Sequence, residues 1–283
     1  MWPLYLIAAK FLRMEEGVTG CGHGGDGSQL IKVYAGDDEE GQGKWPLSGR
    51  AYGDPVSSSR SRFVDVPHVR QICNWDCGLA CVLMVLRTFG IDDRSIHDLE
   101  ELCSTTSIWT VDLAYLLQKF SITFSFFTVT LGANPEFSSE AFYKEQLNDD
   151  LERVNRLFEK ALEAGIQIQH RSISGKEISL LILSGRYIAI ALVDKYKLNY
   201  SWLKDGSVSE FFDGSSKYIG HFVVICGYDA DKEEFDIRDP ACPRKYERVT
   251  LACLEEARKS FGTDEDILLV SLNKEDTDIK LPM

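Results

Sequence analysis

Positive charge is scarce in this chain. Its 283 residues include 31 Lys and Arg against 44 Asp and Glu, which gives a formal net charge of −13. Nucleic-acid binding depends mainly on Lys and Arg contacts with phosphate. The balance therefore argues against a nucleic-acid partner, and also against nonspecific binding to anionic membranes.

Long apolar runs are also missing. A transmembrane helix needs about 20 consecutive apolar residues, and the apolar stretch at residues 1–9 is much shorter. That stretch also lacks the basic start and the small-residue cleavage site of a secretory signal peptide. We therefore expect neither a transmembrane segment nor secretion.

The common phosphate-binding and zinc-binding motifs are absent as well. There is no Gly-x-x-x-x-Gly-Lys-Ser/Thr loop, and the glycine-rich segment 22–27 has no strand before it or helix after it. Cys73, Cys77 and Cys81 recur along the chain, but no nearby Cys-x-x-Cys or histidine pair completes a zinc site. The chain has eight cysteines and no secretory signal, so we expect free thiols in a reducing, cytoplasmic compartment.

What the sequence does contain is a candidate thiol site, beginning with Gln71-Ile-Cys-Asn-Trp-Asp-Cys77-Gly. The apolar run 79–86 follows directly and predicts that Cys77 lies at a helix N-terminus. The partial positive charge and free N–H groups at such a position favour a thiolate. The chain between Gln71 and Cys77 is long enough to turn the Gln71 amide toward the Cys77 N–H, where it would serve as an oxyanion donor.

A base and an orienting group are found much later in the chain. His221 begins a predicted strand, and a second strand ends at Asp239 just before Pro240. If the two strands form a hairpin, Asp239 lies beside His221, as nucleophilic catalysis by a cysteine requires. The predicted catalytic residues are therefore Cys77, His221, Asp239 and Gln71. The alternative is a buried helix thiol, a structural histidine and a turn-capping aspartate.

These residues carry a family resemblance. The pattern Gln, Asp-Cys-Gly, His-Phe-Val-Val and Asp-Pro resembles the papain-like fold of the peptidase domains of bacteriocin-exporting ABC transporters, over residues 62–272. The opening Met-Trp-Pro-Leu-Tyr and the block 66–87 are similar, more closely, to the plant soluble guanylyl cyclase family and its animal relatives, the guanylyl cyclase domain-containing proteins. The resemblance implies an α+β, papain-like cysteine peptidase fold in which N-terminal helices pack on an antiparallel sheet.

The resemblance also implies a function, the conversion of GTP to 3′,5′-cyclic GMP and diphosphate with Mg²⁺ or Mn²⁺ as cofactor. The residues themselves leave two alternatives open. One is a cysteine peptidase or thiol acyl-transfer hydrolase that acts on a peptide-like substrate through Cys77, His221 and Asp239, without a cofactor. The other is a noncatalytic papain-like binding module. A nucleotide could meet a basic pocket at Arg238, Arg244, Lys245 and Arg248, although an ordinary solvated turn explains these residues equally.

The composition suggests three segments: a largely flexible N-terminal extension at 1–61, a papain-like guanylyl cyclase-family domain at 62–275, and a C-terminal tail at 276–283. Segment 195–218, which is polar and aromatic, leads into His221 and is predicted to be a lid over the cleft. The remaining histidines, including His68, are expected on the surface. Hydrophobic periodicity predicts helices at 77–89, 95–103, 111–120, 138–164 and 251–260, and strands at 121–130, 167–172, 187–193, 220–227, 235–238 and 267–272.

Overall fold

A computed structural model describes residues 60–140, 142–144, 146–198 and 218–273 of the chain. Nearly all of the predicted N-terminal extension, the whole predicted tail and most of the predicted lid lie outside these ranges. The boundaries of the three predicted segments, and the lid itself, stay predictions. Within the described ranges, every helix is too short or too polar to cross a membrane.

Three of the helices begin where a side chain satisfies free N–H groups of the first turn. Ser95 and Ser174 form capping boxes, each with an acidic residue three positions later, and Thr250 accepts a hydrogen bond from the N–H of Cys253. The helices of the described part are α1 (Cys77–Thr88), α2 (Ile96–Cys103), α3 (Thr110–Lys119), α4 (Leu147–Lys160), α5 (Gly175–Leu183) and α6 (Leu251–Arg258).

The strands form one sheet in the order β3-β2-β8-β4-β5-β6-β7, and β1 pairs with β5 outside this path. All strand pairs are antiparallel except β2 with β3, which is parallel. The strands are β1 (Ser61–Phe63), β2 (Phe124–Thr128), β3 (Ile168–His170), β4 (Tyr187–Asp194), β5 (Gly220–Asp229), β6 (Glu234–Arg238), β7 (Glu247–Thr250) and β8 (Ile267–Ser271).

Both faces of the sheet are covered by helices. Helices α1 to α4 contribute to one apolar core and α5 and α6 to the other. Along β5, Phe222 and Val224 belong to the first core, whereas Val223 and Ile225 belong to the second. Because neither face meets solvent, the central strand β4 is buried along its whole length, which explains its nearly continuous apolar sequence.

The predicted α+β class, with N-terminal helices packed on a largely antiparallel sheet, is confirmed. The predicted helix at 138–164 is too long: its first part holds a 3₁₀ turn at Pro135–Ser139 and a short loop, and α4 begins only at Leu147. The apolar stripe misled the prediction because it included Phe142, whose ring packs against Tyr143 and Tyr218 before the helix begins. Helix α5 and strands β1 and β7 were not predicted.

Arg258 joins three parts of the second layer. Its guanidinium is fully buried and donates to the Ile173 carbonyl before α5, to Glu255 on α6, and to Glu265 in the loop before β8. The Nε–Glu255 distance is 2.9 Å and the Nη1–Glu265 distance is 3.3 Å. Removing this cation would leave the Ile173 carbonyl without this donor, and Glu255 and Glu265 would keep only their contacts with Lys259 and Ser172 among the described residues.

We expect Arg258→Met to lower the free energy of unfolding by about 3 kcal/mol, because breaking a buried ion pair leaves uncompensated charge. Urea unfolding of the purified variant measures this loss. The matched control is Arg156→Met, which removes an exposed pair with Glu152 on α4 and should change stability by less than about 0.5 kcal/mol. Equal losses in the two variants would contradict the structural role of Arg258.

Candidate active site

The turn before α1 is held by Asp76. Its buried carboxylate accepts hydrogen bonds from the N–H groups of Ile72, at 3.1 Å, and Cys73, at 3.0 Å. Asp76 is also the N-cap residue of α1, but its side chain makes no capping bond to the helix. The first turn of α1 therefore keeps N–H groups that no helix carbonyl and no capping side chain takes up.

Cys77 is the first residue of α1, as predicted, and its side chain is buried. The next residue is Gly78, where a Cβ atom would lie 3.0 Å from Leu113 Cδ1 and 3.1 Å from Phe222 Cδ2. A larger residue would push the start of the helix away from β5. The Asp-Cys-Gly sequence is thus explained locally: it closes the turn, starts the helix, and lets the cysteine approach the sheet.

His221 and Asp239 meet because β5 and β6 are antiparallel neighbours, so that the start of one strand lies beside the end of the other. Nε2 of His221 lies 2.7 Å from Oδ1 of Asp239, and both side chains are buried. The imidazole also has a hydrogen-bonding interaction with the Cys77 side chain. The structure therefore brings together three of the four predicted site residues.

The charge state of His221 follows from these contacts. Burial lowers the pKa of the imidazole, but hydrogen bonds with Asp239 and Cys77 outweigh this effect and raise the pKa from 6.5 to about 9. At neutral pH the ring is therefore an imidazolium, with one N–H toward Asp239 and the other toward the Cys77 sulfur. The site thus holds a buried cation between an aspartate and a thiol sulfur.

Asp239 is fixed by two further contacts. Its Oδ1 accepts a hydrogen bond from the N–H of Ala241 at 2.8 Å, and its backbone carbonyl lies 3.0 Å from Nε2 of His68. His68 is half-buried, so its predicted surface position is wrong. His68 lies in an irregular segment after β1, where side chains follow no periodic pattern of burial.

Gln71 takes a different position from the one predicted for an oxyanion donor. Its Nε2 donates to the carbonyl of Cys73 at 2.6 Å, and its buried Oε1 has no hydrogen-bond partner. Its backbone N–H donates to the carbonyl of Pro240, next to Asp239. Gln71 thus ties the turn before α1 to the end of β6, and its role in catalysis stays a prediction.

Cys77 lines a cavity of about 320 Å³, at the lower end of the range of about 300 to 1,000 Å³ typical of small-molecule sites. Its walls include the aromatic rings of Trp75, Trp109 and Phe142. The charged residues that line it are acidic: Asp150, Asp264 and Asp266. No Lys or Arg of the described ranges belongs to the lining.

Asp150 is neutralised by its neighbours. Its carboxylate accepts hydrogen bonds from Ser107 Oγ, from Trp109 Nε1 at 3.0 Å, and from the guanidinium of Arg153 at 2.9 Å. Arg153 also bonds Asp112 at 2.6 Å. This acidic pair on α3 and α4 therefore shares one cation, which makes a structural role sufficient for both residues.

Asp264 and Asp266 have no such cation among the described residues that line the cavity. Burial raises the pKa of Asp266 well above its usual range, and repulsion from Asp264 adds to this effect, against weaker opposing contributions from the Thr110 and Thr128 hydroxyls. Burial also raises the pKa of Asp264, to about 6, despite a hydrogen bond with Thr130. Neither Asp266 Oδ1 nor Thr110 Oγ1 has a partner with hydrogen-bond geometry. The sequence analysis did not identify this pair, although two aspartates alternating just before a buried strand were visible.

The four basic residues considered for a nucleotide pocket lie elsewhere. Arg238 is fully buried and donates to the Val66 carbonyl at 2.9 Å, with its guanidinium over the Tyr246 ring. The other three form ion pairs with acids: Arg244 with Glu247, Lys245 with Asp65 and Arg248 with Asp236. These residues serve as ion-pair partners around β6 and β7, and the basic nucleotide pocket is not formed.

The other described cysteines are free thiols. Burial, followed by repulsion from Cys77, raises the pKa of Cys81 well above its usual range. Burial likewise raises the pKa of Cys226 to about 12. Within the described ranges, no three His, Cys, Asp or Glu side chains converge on a common metal position.

The raised pKa of His221 predicts a pH-dependent stability. Because the folded-state pKa of about 9 exceeds the unfolded value of about 6.5, the imidazolium stabilises the fold fully below pH 6.5, and this contribution is lost as the pH rises through 9. Its total size is on the order of 3 kcal/mol. We expect urea unfolding between about pH 6 and about pH 10 to show this loss in the wild type and not in His221→Gln. Parallel stability curves for the two proteins would contradict the assignment.

Comparisons with known proteins agree with the predicted family. A family model described as guanylylate cyclase matches residues 66–270. Guanylyl cyclase 1 from Arabidopsis thaliana is 56% identical over 273 residues, which cover 96% of this chain and 97% of that protein. Among solved structures, a putative C39-like peptidase from Bacillus anthracis is similar over 77% of this chain and 97% of its own, at 14% identity and a TM-score of 0.44. The match across the core that holds Cys77, His221 and Asp239 shows that the chain belongs to the guanylylate cyclase family.

Proposed function

We propose that this protein is a guanylyl cyclase that converts GTP to 3′,5′-cyclic GMP and diphosphate. The observation that supports this most directly is the 56% identity, over 96% of the chain, to a protein named guanylyl cyclase 1. Such identity spans the helices, the strands and the cavity together. The substrate would then occupy the cavity beside Cys77, whose aromatic walls suit a purine ring.

Cyclisation makes three demands on this site. The bond from O3′ of the ribose to the α-phosphorus forms while the bond from that phosphorus to the β-phosphate oxygen breaks, and the 3′-hydroxyl proton must pass to a base. In our proposal Cys77 reacts as a thiolate beside the His221 imidazolium, and its sulfur accepts this proton to become the thiol. The His221 imidazolium, oriented by Asp239, stabilises the negative charge that develops on the phosphate. Gln71 would act by positioning, because its amide holds the turn before Cys77.

A divalent cation, Mg²⁺ or Mn²⁺, completes the proposal as cofactor. Asp264 and Asp266 are the lining residues that would hold such an ion, because Asp150 is already paired with Arg153 and no Lys or Arg of the described residues lines the cavity. Oxygen ligands are the ones that Mg²⁺ prefers. When bound, the cation would neutralise the triphosphate, which the acidic walls would otherwise repel.

A second candidate, thiol acyl transfer or peptide hydrolysis, is favoured by one specific observation. Cys77 at the start of α1, His221 and Asp239 form the arrangement required by a cysteine nucleophile, its base and the group that orients the base. In this reaction the Cys77 thiolate attacks a carbonyl carbon, and free N–H groups at the start of α1 would stabilise the resulting oxyanion. As the oxyanion collapses, the bond to the leaving amine breaks, His221 gives that amine its proton, and water then releases the acyl group from the sulfur. Neither a nucleotide nor a metal is then needed.

One assay tests the two candidates together. Purified protein is incubated with GTP and Mn²⁺, and cyclic GMP is quantified by mass spectrometry for the wild type, Cys77→Ala and His221→Gln. If the cyclase uses these residues, we expect both variants to form cyclic GMP at least about 100-fold more slowly than the wild type. This is the usual minimum loss when acid–base catalysis is removed. The matched control is Cys253→Ala, a half-buried thiol on α6, which should retain the wild-type rate.

The remaining outcomes are also informative. Cyclic GMP formed at the wild-type rate by Cys77→Ala would exclude the sulfur as the base and place the reaction elsewhere in the cavity. Absence of cyclic GMP, combined with iodoacetamide labelling of Cys77 that slows in His221→Gln, would favour the thiol enzyme over the cyclase.

A further inference from the structure

We propose that Asp264, Asp266 and the Thr110 hydroxyl form a divalent-cation site that binds Mg²⁺ or Mn²⁺ before the nucleotide arrives. This inference deepens the proposed function, on which it rests for the class of cation. The two carboxylates are held together on the lining of the cavity beside Cys77, so binding of the cation can be measured without any assay of activity.

The backbone fixes the two carboxylates on one loop. Asp264 and Glu265 adopt the left-handed conformation, with φ of 48° and 53°, which is uncommon for residues other than glycine and carries a conformational cost. The Asp264 carbonyl accepts a hydrogen bond from the Val129 N–H and the Asp266 carbonyl accepts one from the Leu192 N–H. Strands β2 and β4 therefore hold the loop in this strained form.

The three acidic side chains of this loop have different surroundings. Glu265, between the two aspartates, pairs with Arg258 and accepts a hydrogen bond from Ser172. Asp264 and Asp266 both line the cavity that holds Cys77. The strained backbone thus places two carboxylates on the cavity wall while the intervening glutamate completes a structural ion pair.

Two buried oxygens of this site have no partner with hydrogen-bond geometry among the described residues. Asp266 is 6% exposed and Thr110 is 2% exposed, yet Asp266 Oδ1 and Thr110 Oγ1 have no hydrogen-bond partner, and both residues line the cavity. Leaving a buried carboxylate oxygen unpaired is costly unless a cation or donor satisfies it. A divalent cation would satisfy these oxygens and remove the repulsion between the two aspartates.

The chain contains its own comparison. Asp112 and Asp150 form the other buried acidic pair near the cavity, and Arg153 lies between them, with contacts of 2.6 Å and 2.9 Å. Asp264 and Asp266 have no equivalent Arg or Lys among the described residues that line the cavity. One pair carries its cation as a side chain, and the other is arranged to receive one from solution.

The proposed site supplies only part of the coordination shell of a divalent cation. Two carboxylates and a hydroxyl leave several coordination positions for water and for phosphate oxygens, which is the usual manner of Mg²⁺ binding at nucleotide sites. This agrees with the lack, in the described ranges, of a group of three metal-binding side chains. A cation here would lie in the same cavity as Cys77, where the phosphate chain of a nucleotide could reach it.

Direct metal binding tests the site without nucleotide. Free Mn²⁺ is measured by electron paramagnetic resonance during titration of the full chain, for the wild type, Asp264→Asn, Asp266→Asn and Thr110→Val. We expect each aspartate variant to bind Mn²⁺ about tenfold more weakly or worse, and Thr110→Val to bind a few-fold more weakly. The matched control, Asp149→Asn, removes one exposed carboxylate from α4 and should leave Mn²⁺ affinity unchanged.

Thermal unfolding without metal gives a second reading. Because Asp266→Asn removes a buried, repelled carboxylate, we expect its midpoint to rise by about 2 to 4 °C, whereas loss of a purely structural carboxylate would lower it. Wild-type affinity for Mn²⁺ in all variants would overturn the site, even if cyclic GMP were formed. Mn²⁺ binding lost in the aspartate variants, without cyclic GMP formation by the wild type, would support the site and count against the cyclase proposal.

Discussion

The register between β5 and β6 is the constraint on which the active site depends. It places His221, at the start of one strand, within 2.7 Å of Asp239, just after the end of the other. A shift of one residue would turn every side chain of β5 to the opposite face of the sheet, so the buried pair exists in one register only. The apolar cores on both faces enforce that register, because Phe222 and Val223 belong to different cores.

The electrostatics of the cavity region follow two different designs. Next to Cys77, the His221 imidazolium is paired with Asp239, and Arg153 pairs with both Asp112 and Asp150. In contrast, Asp264 and Asp266 have no Lys or Arg partner among the described residues that line the cavity. A negatively charged substrate and a positively charged cofactor would enter such a cavity more readily together than apart.

Sequence patterns captured the elements whose signals are local. The apolar run after Cys77 and the serine at Ser95 predicted helix starts that the structure shows. Ser174 caps α5 in the same way, but the sequence analysis did not predict that helix. The pairing of His221 with Asp239 could be predicted because the two residues lie on strands joined by a hairpin. In contrast, Asp264 and Asp266 lie far along the chain from Cys77, and only the order of strands in the sheet brings them together. Short polar stretches of this kind have no periodicity, so their partners depend on tertiary structure.

The orientation of Asp76 has a consequence for what can approach Cys77. A carboxylate that capped α1 in the usual way would place its negative charge over the first turn and fill the N–H groups there. Because Asp76 instead bonds Ile72 and Cys73 behind the turn, the positive end of the helix dipole remains unoccupied beside the sulfur. The chain gives up helix stability at this point and in return keeps an anion-receptive end, equally suited to a thiolate, an oxyanion or a phosphate oxygen.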